Sequence, residues 1–435
     1  MPERSLDNTI NQSNRFPSLR LDRLVSLAVG LLLISLAPYA LGFFKDWTVP
    51  ITSSLQFRLF DVLVIPFAYL GLIYYGLRYS WIKKYERFLF LSIILVILSR
   101  IISLLFAETL QLEAVSILSI FRYVEALILI FVFANLFTDL KNRQLFILGI
   151  IIAVIIETVG GIFMVFAVNK GYFFSTSSYI LQILLILACI LTFINKKHRF
   201  LMAIFILVLV LAVFATLSRS ALIFLMITLI ASLIYTRKQI LKPILFFIVL
   251  VIIASLLTAV IFPSLGDIFV NRVESGLKGQ GSVFYRFYLW DKAIATFLEH
   301  PLTGIGSGGF ARQRESLPQV FQIELDPSSI QTYQTGTHNK VLEVMSDTGI
   351  VGLVAYIFWF VAAMGFSLKV LRSSNIRYDT YAIAVSLIVI GLIISDTYSK
   401  ASFTAMPNVL IGFLLGWHRE KTKLSQRIEQ VSKPR

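Results

Sequence analysis

Apolar runs of roughly 17 to 25 residues, each long enough to cross a bilayer as a helix, recur along the chain. They lie near 23–44, 59–77, 88–107, 116–138, 145–168, 179–194, 200–218, 220–235, 243–262, 349–370, 379–397 and 404–418. Such a chain is excluded as a soluble multidomain enzyme. Barrel strands would alternate polar and apolar residues over about 10 positions, and these runs do not. The expected fold is an all-α polytopic membrane protein of about 12 transmembrane helices. Composition agrees: of 435 residues, 57% are hydrophobic and 14% charged, with a mean hydropathy of +0.82.

An even number of spans puts both termini on one side. Of the 39 Lys and Arg, 25 fall on that side and 12 on the other, with Arg100 and Arg122 inside spans. Because cytoplasmic loops collect Lys and Arg, both termini are expected in the cytoplasm, and the formal charge of +15 reflects topology before it suggests nucleic acid. The expected division is a polar, disordered cytoplasmic tail over 1–22, nine spans over 23–262, an extracytoplasmic loop over 263–348, three spans over 349–418 and a basic cytoplasmic tail over 419–435. The first apolar run lacks a convincing cleavage site after it, so it is expected to be an uncleaved helix.

The long outer loop is the expected seat of function, since long ordered loops in compact proteins usually bind or catalyse. Within it, Tyr285, Leu289, Ala293 and Phe297 recur at i, i+4 spacing, which predicts an amphipathic helix over Ser282–His300 that Pro301 stops. A glycine-rich hinge follows at Gly304–Gly309, and a second helix is expected to start at His338 and run into the tenth span. Gly304, Gly306 and Gly309 fit G-x-G-x-x-G, but they follow a helix, not a strand, so a tight turn allowing close backbone packing is predicted in place of a nucleotide site.

The chain holds four histidines and one cysteine, Cys189; no intramolecular disulfide can form and no His/Cys metal cluster is expected. The pair Glu324 and Asp326 fits either a solvated loop or a divalent cation held through oxygen. Arg100, Arg122, Glu125 and Glu157 are ionisable residues within spans, where burial demands a partner or a polar cavity. At 1.5 Å rise per residue, Arg100 lies about 10 Å and Arg122 about 9 Å from the outer ends of their helices. They fit either a structural ion-pair network or an anion-binding cavity open to the outside. Arg219 sits in a short turn at the outer surface, where it either anchors to lipid headgroups or captures a substrate phosphate in a bidentate fork. Arg286, four residues before Trp290, offers a second fork. His338, at an expected helix N-terminus where the dipole disfavours the imidazolium, is either a capping residue or a neutral base.

Three stretches taken together resemble the O-antigen ligase and O-antigen polymerase superfamily of bacterial envelope glycosyltransferases. They are Thr216-Leu-Ser-Arg-Ser-Ala221; Arg286-Phe-Tyr-Leu-Trp290 followed by Ala293 and His300-Pro-Leu-Thr-Gly-Ile-Gly-Ser-Gly-Gly-Phe310; and Thr337-His-Asn-Lys-Val-Leu342 running into Thr348-Gly-Ile-Val-Gly352. The resemblance implies transfer of a glycan from an undecaprenyl diphosphate carrier to a hydroxyl acceptor, a glycan or lipid A core, without cofactor or metal. The reaction would run on the outer face of the bacterial inner membrane. It also implies that Arg219 and Arg286 hold the diphosphate and that His338 is the catalytic base. Arg100, Arg122, Trp290, Asn339 and Asp396 complete the substrate-contacting set.

The chemistry is coherent on its own terms. Guanidiniums aimed at a departing diphosphate stabilise the charge that grows in the transition state, a histidine takes the acceptor proton, and one displacement inverts the anomeric centre. A flippase for lipid-linked oligosaccharide, or another polysaccharide transporter, is the competing class. Transporters tend to repeat their halves, whereas the single long loop makes the halves of this chain unlike.

Overall fold

The structure is a computed structural model that describes residues 16–32, 48–52, 55–58, 66, 69–76, 86–106, 114–168, 227, 230, 282–313, 316–321, 337, 339–375, 379–395 and 405–432. The expected spans at 179–194, 200–218 and 243–262, and nearly all of 220–235, lie outside the described residues. So do Arg219, His338, Asp396 and the Glu324/Asp326 pair.

Nine helices and one hairpin make up the described elements: α1 (Phe16–Leu32), β1 (Thr48–Thr52), β2 (Leu55–Arg58), α2 (Arg87–Leu105), α3 (Ala114–Leu136), α4 (Leu140–Val168), α5 (Ser282–Glu299), α6 (Gly309–Gln313), α7 (Lys340–Ser373), α8 (Thr380–Ser395) and α9 (Ala405–Ser432). The antiparallel β1–β2 hairpin, in register at Val49 and Phe57, is the one departure from helix among them. Its T-V-P-I-T strand is rich in β-branched residues, which favour a pleated backbone.

α2 and α7 are each long and apolar enough to cross a membrane. α2 buries Leu89, Ile93, Val96, Arg100 and Ser103 at helical spacing, yet its outward face is also apolar, with Leu91, Leu98 and Leu105 exposed. α7 repeats the pattern: Tyr356, Trp359, Ala363, Phe366 and Val370 are buried, while Val354, Ile357 and Val361 point outward. A helix that is hydrophobic all round suits lipid on one side and protein on the other. α7 packs on α2 and α8, α9 on α3, and α1 on α4. The last crossing is close: a Cβ on Gly30 would stand 2.4 Å from the Phe146 carbonyl oxygen, and one on Gly149 would stand 2.5 Å from that of Leu27. Small residues at such a crossing let backbones approach without a bilayer-driven hydrophobic force.

Helix boundaries differ from expectation in three places. α1 begins at Phe16, inside the stretch read as a disordered tail, with Pro17 in its first turn where a missing N–H costs nothing. α9 runs to Ser432 through the stretch read as a basic tail, and the charges at the start of that stretch are paired. Arg419 grips Glu86 with two bonds of 2.6 Å and donates to Asn135 Oδ1 at 2.7 Å; Lys421 meets Asp379 at 2.8 Å; Glu420 pairs with Arg143. These contacts gather the start of α2, the end of α3, the start of α4 and the start of α8 at one end of the bundle. Third, α7 starts at Lys340, and its helical geometry breaks at Gly349 (φ 62°, ψ −158°).

Candidate active site

The opposite end of the bundle is organised by that break. In a continuous helix Ile350 N would donate to Ser346 O and Val351 N to Asp347 O. Instead Ile350 N donates to Pro301 O (2.8 Å) and Val351 N to Leu302 O (3.4 Å), while Ser346 O accepts from Ile305 N (3.0 Å) and Asp347 O from Gly306 N (3.0 Å). The glycine-rich segment after α5 thus plugs into the helix break and satisfies all four orphaned groups. The approach leaves no room for side chains. A Cβ at Gly304, itself at φ +64°, would lie 2.4 Å from the Asp347 carbonyl carbon, and one at Gly349 would lie 2.4 Å from that of Leu302. The glycines form the close turn that their spacing predicts.

Asp347 is the hub of this end. Its carboxylate accepts from Gly308 N and Phe310 N, each at 3.0 Å, and from Arg100 Nη1 at 2.8 Å; both side chains of the ion pair are 2% exposed. Arg100 Nη1 also reaches Ser307 Oγ at 3.3 Å, and Ser103 Oγ donates to Asp347 O at 2.6 Å. Tyr123 on α3 lies beneath two cations: Arg100 is 5.2 Å and Lys340 Nζ 5.6 Å from its ring centroid. Lys340 pairs with Glu343 at 2.9 Å. Of the two readings open for Arg100, the geometry is that of an ion-pair network.

α5 is built by the predicted stripe. Tyr285, Leu289 and Ala293 are buried and pack with Phe310 and Leu317, while Phe297 is half-buried. Asp291 on the same helix accepts from Val320 N (2.9 Å) and Phe321 N (3.0 Å), which pins the chain that follows α6. One turn beyond Arg286, Trp290 Nε1 donates to Thr337 O at 2.8 Å. Thr337 Oγ1 in turn donates to Asn339 O at 2.6 Å. Asn339 is the N-cap of α7, its Oδ1 accepting from Leu342 N at 3.2 Å, as side-chain oxygens at that position do.

The structure therefore brings Trp290 and Asn339 together through Thr337 and puts Arg286 on the same helix as Trp290. Arg122 is not drawn into the Arg100 cluster: it is exposed, whereas its neighbour Tyr123 is buried. Beside the glycine turn a cavity of about 330 Å³ is lined by Phe106, His300, Leu302 and Gln313 among others. Sequence reasoning missed Asp347 and the Lys340–Glu343 pair, and it had Thr337 and Lys340 only as members of a motif stretch, without a role. The one available signal was Asp347-Thr-Gly349, an acid beside a glycine at the mouth of an apolar run. Among the described residues no group of three or more His, Cys, Asp or Glu is placed to hold a metal ion.

Apolar-faced helices with a glycine-rich segment docked on their ends are consistent with a helical membrane protein. Residues 203–357 match the family model for O-antigen ligase, a stretch that contains all three of the motif segments noted in the sequence. The family implies, in general terms, a bacterial inner-membrane enzyme of ligase or polymerase type that takes a lipid-linked glycan donor and a polysaccharide acceptor. No curated protein matches the chain significantly.

Proposed function

We propose that this protein is an inverting, metal-independent glycosyltransferase that moves a glycan from an undecaprenyl diphosphate carrier to a hydroxyl acceptor at the extracytoplasmic membrane surface. The acceptor oxygen forms its bond to the anomeric carbon as the bond to the carrier diphosphate breaks. His338 receives the acceptor proton, and the carrier leaves as the diphosphate, its charge met by Arg219 and Arg286. The observation that carries this reading is the bond from Trp290 to Thr337 O. It ties the helix bearing Arg286 to the residue before His338, supporting one site for the phosphate fork and the base. Asn339 supports the same reading from the other side, since it follows His338 directly and caps the start of α7 at Lys340. Exposed Arg122 suits an outer contact with donor or lipid phosphate better than it suits a sealed pair.

The reading is tested by separating binding from chemistry. Purified His338→Ala should bind polyprenyl diphosphate as the parent does and lose transfer by about 10² to 10⁴-fold, the usual share of a general base. Full activity in that variant would remove His338 from the mechanism.

A further inference from the structure

The α7 segment from Lys340 to Thr348 is not a rigid extension of the membrane helix behind it. Two backbone bonds that would continue the helix through Gly349 are replaced by bonds to residues 301–306. The position of this segment is therefore set by what grips it from the side. Four groups do so around Asp347: the amides of Gly308 and Phe310, the guanidinium of Arg100, and the hydroxyl of Ser103 on the main-chain carbonyl. Arg100 and Ser103 belong to α2, a membrane helix, and the amides belong to the loop body that carries α5. A buried ion pair is a weak source of stability, because desolvation offsets most of its attraction, and its best-attested use is to specify one arrangement over others. Here it specifies how the loop body sits on the bundle.

We infer that Arg100 and Asp347 form a positioning latch, holding the body that contains Arg286, Trp290 and the residues flanking His338 at a fixed depth and angle against α2. The inference rests on the reading of His338 as the base. Neither residue touches the reacting atoms; both act through the placement of those that do. Misplacement by about 1 Å costs an enzyme up to about 10²-fold in rate, which sets the size of the effect.

The test uses variants that keep the charges and alter the reach: Asp347→Glu and Arg100→Lys, each made in the parent and in His338→Ala, with transfer and thermal stability measured on the purified full chain. The latch predicts a loss of about tenfold or more in the parent background, stability close to the parent's, and a clearly smaller further loss when His338 is absent, because only Arg286 and Trp290 then remain to be misplaced. An equal fold loss in both backgrounds, or a loss that tracks falling stability, would reduce the pair to a structural contact and overturn the latch. So would unchanged transfer in both variants. Should Asp347→Glu fail to fold, Arg100→Lys carries the same comparison. Full activity in His338→Ala alone would overturn the reading of the base and the latch with it, whereas loss in His338→Ala beside full activity in Asp347→Glu would overturn the latch alone.

Discussion

Glu86 and Arg419 stand 333 positions apart in the chain and meet as a buried two-bond pair, Nε to Oε1 and Nη2 to Oε2, each 2.6 Å. Glu86 is fully buried and Arg419 is 4% exposed, and the third arm of the guanidinium reaches Asn135. The pair fastens the last described helix to the start of α2 and the end of α3. Removing one partner leaves the other as an uncompensated buried charge, which costs about 3 to 5 kcal/mol. Glu86→Gln should therefore lower resistance to denaturant in detergent by that order. A change within 0.5 kcal/mol, roughly the scatter of ordinary surface substitutions, would mean that water reaches this end of the bundle.

Gly304→Ala should cost roughly 2 kcal/mol or more. Alanine at positive φ is strained by about 1 to 2 kcal/mol, and its Cβ would press on main-chain atoms of Asp347, at 2.4 Å, that cannot move aside without breaking the docking bonds. Reduced thermal stability together with reduced transfer is the expected outcome, and hydrogen exchange should quicken at the amides of Ile305 and Gly306.

Trp290→Phe keeps an aromatic ring and removes one donor. The hydrogen bond to Thr337 O is worth about 0.5 to 1.5 kcal/mol, so transfer should fall by at most about tenfold while donor binding is kept. Retention of full activity would show that Asn339 and Thr337 hold the segment unaided.

Arg286→Lys and Arg219→Lys should both weaken binding of a polyprenyl diphosphate, because an ammonium cannot reproduce two parallel guanidinium bonds. Titration of each purified variant with the carrier lipid measures this. Weakening in Arg219→Lys alone would take α5 out of the donor site.

Sidedness has its own readout. A cysteine at exposed Leu302 should react with a membrane-impermeant thiol reagent in spheroplasts, and one at exposed Ser373 should not. The reverse pattern would put the loop body in the cytoplasm. Ser307 is unsuitable as a reporter because it is fully buried against Arg100.

Periodicity made α5 legible, since Tyr285, Leu289 and Ala293 face one way whatever they pack against, and long apolar runs marked α2 and α7. Partnership was not legible. Arg100 could be recognised as an ion in need of a counter-ion, but Asp347 lies 247 positions away, and no local spacing links them. Arg419 and Lys421 looked like the solvated basic residues that follow a final span, and only the folded arrangement shows them spent on Glu86 and Asp379. The break at Gly349 was hidden for a related reason: one glycine in an apolar run is tolerated in a helix at about 1 kcal/mol, and what opens the helix is competition from loop carbonyls and amides brought in from residues 301–306.

Transfer is measured most directly on the purified protein with a defined glycan on polyprenyl diphosphate, a hydroxyl acceptor, excess chelator and no nucleotide sugar. Elongated or ligated product should form, with the anomeric configuration at the new bond inverted and free polyprenyl diphosphate released in equal amount. No product in this mixture, alongside movement of the intact lipid-linked glycan between leaflets of vesicles containing the protein, would contradict the account and make the protein a transporter.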